Sequence, residues 1–535
     1  GAVGANSSYT LGPDDYVTAV VPIKAFTALN PKFQFKNEPV GNSFFFGHEW
    51  GHSFIDVAQN EIILDRQPLA TPEQQLANQK KVMKDRSPEN MLELAEWCLS
   101  VGLEGECRKI LDDLLFIKEP KPRIKAVLDA YTKTKDTLTA NVDKSTKANS
   151  WKERLGYVGM SVSKHYAIVY SENTQESAER RLKALEQNFN TFYLWFALRG
   201  RALPAPTEKL VSVLVADPSE FRKYRDTFEV TNIVSDGFHA RRENLAVFCD
   251  RRLDRASVNF EQTVKDIYRT MKPAQALAKE LKDSPAKNYP EHARASCLVL
   301  VDNALRKEAE IAAATHEGTK QLFAETGLLP RSVLAPEWLK FGTAALFEMP
   351  KGPFPGGPGV VKVAFYPGGG GPNWAYMRYY EEMYEKGFLK DPTRTFINTL
   401  LDSYFTTAKR IADLEAKKKP EDGESHATPS EELYSRARAL SWALVYFMAK
   451  DRFTEFEKLL AELSKLPRDA ELDEAATMGA FARAFGVSGI SLTGGDNVDI
   501  SKFAFIGTEW ERFMRRQQSP SRSLKIDALV LPSGE

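Results

Sequence analysis

The sequence predicts an α+β fold, with a mixed sheet-and-helix core and a helical C-terminal part, preceded by a small β-rich segment and a helical hairpin. Three observations predict it. Short β-like runs crowd residues 1–70, amphipathic helical spacing takes over from about 72, and from Trp151 strand-like and helix-like stretches alternate before a helical remainder. The chain has 535 residues, enough for about three to four domains. Five segments are expected, at 1–70, 71–145, 151–350, 351–515 and a polar tail at 516–535.

Each element has its own signal. TAVVPI, FFF and EIILD carry the strand character of residues 1–70. MLELAEWCLSVGL and ECRKILDDLLFI then give two amphipathic helices joined by a turn at Gly102–Gly105. The pair resembles a single tetratricopeptide-like hairpin, with Leu94, Ala95, Leu99, Gly102 and Leu103 where packed helices need small and apolar residues. One hairpin buries little alone, so it is expected to pack on a neighbour. Cys98 and Cys107 flank the turn; a disulfide would need an oxidising compartment, and two buried thiols are the expectation.

Further on, SVSKHYAIVY reads as a strand, and ESAERRLKALEQNFNTFYLWFALRG as a long helix stopping at Gly200. KLVSVLVA is a strand, and DPSEFRKYRDTF starts a helix behind Asp217. DGFHARRENLAVFCD predicts a hairpin turning at Arg242–Asn244. A long helix is expected from about Asn303 to Thr326, ended by Gly327. Residues 351–373 are dense in Gly and Pro and predict a loop; EAKKKPEDGESHATPSEE at 415–432 predicts a charged surface linker.

Composition narrows the function classes. Lys plus Arg and Asp plus Glu both number 72, so the formal net charge is zero and the global footprint of a nucleic-acid binder is missing. The longest apolar run, Ala439 to Ala449, falls short of the ~18 residues of a membrane span and predicts a buried helix instead. Four cysteines cannot build a disulfide framework. A membrane channel, a collagen-like fibre and a disordered chain are thereby excluded. The opening GAVGANSS, with small Ala2 and Ala5, fits the remnant of a secretory cleavage site as well as a trimmed end. Export to a periplasm or cell surface is therefore an expectation, with a cytoplasmic location left open. The polar tail suggests an assembly that holds it.

Two motifs bear on metal chemistry. His48, Glu49 and His52 match HExxH, the spacing that brings two imidazoles to one zinc ion on a helix face. Gly47 and Gly51 disfavour a helix there by ~1 kcal/mol each, and SFFFGHEWGHSFIDV reads as part of a hairpin. In a strand the two histidines would lie about 13 Å apart, too far for one ion. The second motif, THEGTKQLF with His316, Glu317 and Lys320, lies within a strongly helical stretch. PEWLKFGTAALFE, from Pro336 to Glu348, follows it.

With these segments the chain resembles the peptidase-MA-like proteins, zincins of the gluzincin type, including a bacterial group catalogued as a domain of unknown function. The resemblance covers about 155–460, through VLVADPSEF, the DGF hairpin, the His-Glu helix and the Trp-containing helix. It implies a zincin-like domain at 151–350. Active members take two zinc ligands and a base from HExxH and a third ligand from a glutamate in W-x-x-E-G-x-A. His316 then matches the first ligand, Glu317 the base, Lys320 the second ligand and Phe341 the third. An ammonium is a poor zinc ligand and a phenyl ring is none. The resemblance therefore implies a degenerate site in which Lys320 compensates Glu317 and Phe341 fills apolar volume, with no metal and no cofactor.

Other readings stay open at this stage. His316, Glu317 and Lys320 could simply be polar residues on a solvated helix face. Glu348, seven residues past Phe341, and His239 on the DGF hairpin could join His316 in an atypical zinc site. His165, His292 and His426 lack ligand spacing, and the glycine runs at 356–359 and 367–371 lack the Gly-Lys-Ser/Thr ending of a phosphate loop. Those runs are expected to form a flexible loop rimming a cleft. Cys249 and Cys297 show no catalytic context, and NWAYMRYYEEMY at 373–384 reads as core. The leading expectation is a non-catalytic pseudopeptidase that binds a protein partner or joins a larger assembly. The runner-up is a zinc metallopeptidase in which Glu317 deprotonates a metal-bound water. A third class, carbohydrate or envelope binding, has no motif behind it.

Overall fold

The computed structural model describes residues 72–228, 235–253, 309–349, 368–415, 429–488 and 500–517, several short strands outside those ranges, and single positions at 258, 262 and 306. Four strands open the chain: β1 (Asp15–Pro22), β2 (Ser43–His48), β3 (Gly51–Asp56) and β4 (Glu61–Pro68). They form one sheet in the order β3-β2-β1-β4, as the β-like runs predict. β2 and β3 are antiparallel, with His48 paired to Gly51 and Gly47 to His52. The N-terminal HExxH is therefore divided between two paired strands, and its histidines sit at adjacent registers on neighbouring strands instead of 13 Å apart along one. Glu49 lies outside the described residues.

Helices follow: α1 (Pro72–Val82), α2 (Pro88–Ser100), α3 (Glu104–Leu114), α4 (Pro122–Thr139) and α5 (Thr146–Leu155). The α2–α3 pair is the expected hairpin, turning at Gly102 with φ +82°. It packs on the main core through Leu94, Ala95, Cys98 and Leu99. Cys98 and Cys107 are free, buried thiols. Burial pushes the Cys98 thiol up to about 12.

A five-stranded mixed sheet comes next. It comprises β5 (Gly159–Val162), β6 (Tyr166–Tyr170), β7 (Leu210–Val215), β8 (Gly237–Ala240) and β9 (Leu245–Cys249), ordered β5-β6-β7-β9-β8. SVSKHYAIVY is thus two antiparallel strands and not one. The cause is remote in sequence. The hydroxyl of Ser163 and the backbone N–H of His165 both donate to Glu186 Oε1, at 2.5 and 2.7 Å, pinning a turn between the strands. The parallel strands β6, β7 and β9 are buried along their whole length. That accounts for the unbroken apolar run LVSVLV.

Helices cover both faces of this sheet. α6 (Gln175–Ala197) ends just before Gly200, whose φ of +76° supplies the left-handed stop. α7 (Pro218–Thr227) begins behind Asp217, which accepts the backbone N–H of Ser219 and Glu220. α8 spans 309–325 and stops at Gly327, φ +74°. Gln321 of α8 donates to the carbonyls of Val211 and Asn244, both at 2.8 Å, fixing the helix on the sheet. A Cβ at Gly318 would stand 2.4 Å from Leu185 Cδ2, so glycine there lets α8 close on α6. Ala148, Phe221 and Phe238 build a second apolar cluster with Val211, Val213 and Val215.

The remainder is helical: α9 (Glu337–Phe347), α10 (Trp374–Glu385), α11 (Pro392–Leu400), α12 (Ser403–Glu415), α13 (Pro429–Asp451), α14 (Phe453–Leu463), α15 (Glu474–Phe485) and α16 (Ala504–Arg516). A two-residue ribbon pairs Phe354–Pro355 with Val361–Lys362. Ala439 to Ala449 is buried throughout, as its composition predicts. No helix among the described residues is long and apolar enough to cross a membrane. Of the linker predicted at 415–432, residues 416–428 lie outside the described residues, and both described ends are helical. Helix resumes at Pro429, and Ser430 N–H donates to Glu415 Oε1 at 3.1 Å, joining the flanking helix ends.

The glycines at 368–371 correct another expectation. They do not rim a cleft but lie buried against α2 and α6. A Cβ at Gly368 would stand 2.2 Å from the Ser100 carbonyl oxygen, and one at Gly370 would stand 2.1 Å from Trp195 Cδ1. Gly370 N–H also donates to the Leu346 carbonyl at 2.9 Å. Only glycine allows this backbone approach. The run at 356–359, Cys297, His292, His426 and the tail from 518 lie outside the described residues.

Candidate functional site

A cleft of about 870 Å³ opens where β8, α8, α9, α12 and α13 converge. His239, His316, Glu317, Lys320 and Phe341 all line it. The spacing along α8 and α9 thus carries into space. His316 and Glu317 lie on neighbouring positions of a buried helix, exposed by only 7% and 2%. The solvated-face reading fails at this point.

Glu317 is closed by charge. Lys320 Nζ, one turn along, stands 3.1 Å from each of its carboxylate oxygens and donates to Oε1. β8 presses from the other side, where a Cβ at Gly237 would sit 3.1 Å from Glu317 Cγ. His316 is oriented differently. Its Nδ1 lies 2.7 Å from Glu348 Oε2, and Tyr376 donates its hydroxyl to the same carboxylate at 3.2 Å. The Phe341 ring stands against the imidazole, centroids 4.7 Å apart and tilted by 48°. Glu348 is not among the lining residues. It acts from behind, holding the ring, and does not take the place of a ligand beside it.

His239 lines the same cleft as His316. Its Nε2 donates to Asn244 Oδ1 at 2.8 Å, because the Asn244 amide nitrogen is engaged with Glu325 at 3.0 Å. Burial pushes the His239 imidazole down to about 4, so it is neutral across the ordinary range. Nδ1 of His316 is thus engaged with Glu348, and Nε2 of His239 with Asn244. Among the described residues no three His, Cys, Asp or Glu side chains are placed to hold a metal ion. The donors at the motif positions do not fit zinc: the His316 imidazole, the Glu317 carboxylate already bound to the Lys320 ammonium, and the Phe341 ring.

Three further groups shape the cleft and have no counterpart in the sequence reading. Glu337 and Lys340 pair at 2.6 Å on the first turn of α9. Burial opposes charge on Glu337, yet Lys340 and then Lys320 hold its carboxyl below the ordinary range, and Lys340 is raised in turn. Asp402 accepts the backbone N–H of Glu337 and Trp338, at 2.6 and 2.7 Å, and so caps α9 from another part of the chain. Burial pushes its carboxyl up to about 6, against those bonds and with repulsion from Glu337 added. Asp402 immediately precedes α12, and that position in sequence suggests a cap for its own helix, so the contact with α9 leaves no trace in spacing.

One end of the cleft is closed by Arg241 in the β8–β9 turn. It reaches Asp469 at 2.5 Å, and Asp469 N–H donates to the Ser332 carbonyl at 2.8 Å. β8 itself is the outermost strand of the sheet, hydrogen-bonded among the described residues to β9 alone. Gly237, Phe238 and His239 carry it along the cleft wall. No family model matches this chain, and neither the curated proteins nor the solved structures compared with it give a match.

Proposed function

We propose that this chain is a non-catalytic, zincin-like protein that accommodates an extended polypeptide segment in the cleft, as the receptor for a protein partner or as a component of a larger assembly. The observation that carries the reading is the Lys320 ammonium, 3.1 Å from both oxygens of Glu317. It supplies a positive charge where the resemblance would put a metal, and a carboxylate held in that way is not free to act as a base. Phe341 adds apolar volume against His316. Support for a peptide ligand comes from β8, whose outer edge is unpaired among the described residues and borders the cleft, where a strand can add by backbone hydrogen bonds.

The runner-up, an atypical zinc metallopeptidase, is favoured by one observation: a carboxylate behind an imidazole, as Glu348 stands behind His316, is the usual support of a metal-ligating histidine. Metal content per chain separates the two. Protein purified without chelators or a histidine tag is expected to carry no stoichiometric zinc and to leave unfolded casein intact. Zinc at about one equivalent, lost on His316→Ala, would overturn the proposal. A constructive test runs the other way. Lys320→His combined with Phe341→Glu should create a site that takes up about one zinc per chain. Hydrogen exchange in β8 during titration with peptides from a displayed library tests the strand-addition step.

A further inference from the structure

The cleft passes around the outer edge of β8. Successive side chains of a strand face opposite ways. Phe238 turns to the face that carries α7, where its ring centroid lies 5.2 Å from that of Phe221. A Cβ at Gly237 would turn to the other face, 3.1 Å from Glu317 Cγ on α8. Residues of both faces line the one cavity: Arg225, Phe228 and Phe238 from the first, Gly237, His239 and Glu317 from the second. Such a cavity has to run past the edge of β8, which is unpaired among the described residues.

Arg225 is brought to that edge by its helix. It follows Phe221 by four residues and precedes Phe228 by three, so the three share one face of α7. Both rings pack on Phe238, at 5.2 and 6.1 Å between centroids. The arginine is half-buried, and its Nε is enclosed without a hydrogen-bond acceptor. Among the described residues no carboxylate forms an ion pair with it. Burial lowers its pKa and Asp226 offsets only part of that effect, since adjacent residues of a helix do not face each other. Other cations on the wall are paired: Lys320 with Glu317, Lys340 with Glu337 and Arg241 with Asp469. Lys409 is exposed to water. A guanidinium withdrawn from water with no partner is a costly arrangement that a bound carboxylate would relieve.

We propose that Arg225 reads an acidic side chain, Asp or Glu, in the extended segment that adds to β8. The proposal rests on the peptide-binding reading given above. A guanidinium fork matches a carboxylate through two parallel hydrogen bonds, which gives selectivity as well as attraction. A side chain is the favoured source, and not a chain terminus. A terminus is captured where a groove ends, and at the closed end the charge of Arg241 is already spent on Asp469. Arg225 instead reaches the strand edge from the side, where the side chains of an added strand pass.

The test uses the full chain as bait for a displayed library of random linear peptides of about twelve residues, beside Arg225→Gln and Arg225→Glu. Wild type should select peptides with Asp or Glu at one aligned position. Arg225→Gln should lose that preference, and Arg225→Glu should shift it to Lys or Arg. A synthetic selected peptide should bind about tenfold to a hundredfold more weakly once its acidic residue is replaced by the corresponding amide. Arg225→Gln should cost the parent peptide as much, with little further loss when both changes are combined. Amidating the peptide's C-terminus should change nothing. The peptide arm needs no variant of the protein. Selected peptides without an acidic position, an acidic preference that survives in Arg225→Glu, or weakening on C-terminal amidation alone would overturn the role of Arg225 and leave peptide binding standing. Selection of no peptide by the wild type would overturn both.

Discussion

His165 and His316 present the same pair in two regions of the molecule. Each turns Nδ1 to a glutamate, at 2.8 and 2.7 Å, and each lies against a phenylalanine ring. They differ at the second nitrogen. In the scaffold, Nε2 of His165 ends on a backbone carbonyl, and every polar atom of the ring is spent on holding three elements together. In the cleft, His316 has no second hydrogen bond among the described residues, and its ring forms part of a wall that a ligand could touch. The histidine–carboxylate pair is therefore not itself the mark of a site. What lies beyond the far nitrogen decides whether the pair clamps structure or faces a cavity.

That difference should appear first in stability. His165→Ala is expected to cost about 3–5 kcal/mol, because it opens a cavity beside Phe189 and strips Glu186 of a buried hydrogen-bond partner. His316→Ala should cost only about 1–2 kcal/mol, since Glu348 keeps the Tyr376 hydroxyl and the cleft can admit water. Urea unfolding midpoints check the order, and equal losses would break the comparison. Next in size is Lys320→Met, which leaves Glu317 buried and unpaired at a cost of about 3 kcal/mol. Adding Glu317→Gln to it should recover most of that loss.

A smaller effect depends on pH. The Asp402 carboxyl sits at about 6 in the fold against an ordinary 3.8, so the folded chain binds this proton more tightly than the unfolded chain. Its contribution to stability is complete below the ordinary value and is lost as pH rises through about 6. Between those limits the wild type should lose about 1–2 kcal/mol relative to Asp402→Asn, with a discount for residual exposure. Unfolding curves at several pH values check the sign. Smallest of all, Phe341→Leu should change the urea unfolding midpoint by the equivalent of about 1 kcal/mol.

Much of the fold is legible locally. LVSVLV is a buried parallel strand because nothing polar interrupts it, and Gly200 and Gly327 stop their helices as their positions predict. The DGF hairpin turns where Asn244 takes a φ of +53°. What fails is set by distant partners. SVSKHYAIVY folds back on itself because Glu186, on another element, holds the turn. The cleft divides along the same line. His316, Glu317 and Lys320 share a face as their helical spacing suggests, and Phe341, singled out only by the resemblance, joins them on the cleft wall, whereas Tyr376 and Asp402 come from remote segments without any sequence signal. Glu348 reads from the sequence only as a ligand candidate, since spacing cannot tell a group beside an imidazole from one behind it.

The buried glycines at 368–371 set an order of events during synthesis. They cover Ser100 at the end of α2 and Trp195 on α6, and they close the last turn of α9. A ribosome delivers α2 and α6 long before it reaches this loop, and domains generally fold as units with the N-terminal one first. The hairpin and the sheet-covering helix must therefore wait in the nascent chain with their joint uncovered, Trp195 among them. A chain released before residue 371 would keep that apolar seam open, and folding of the first half is tied to completion of the second.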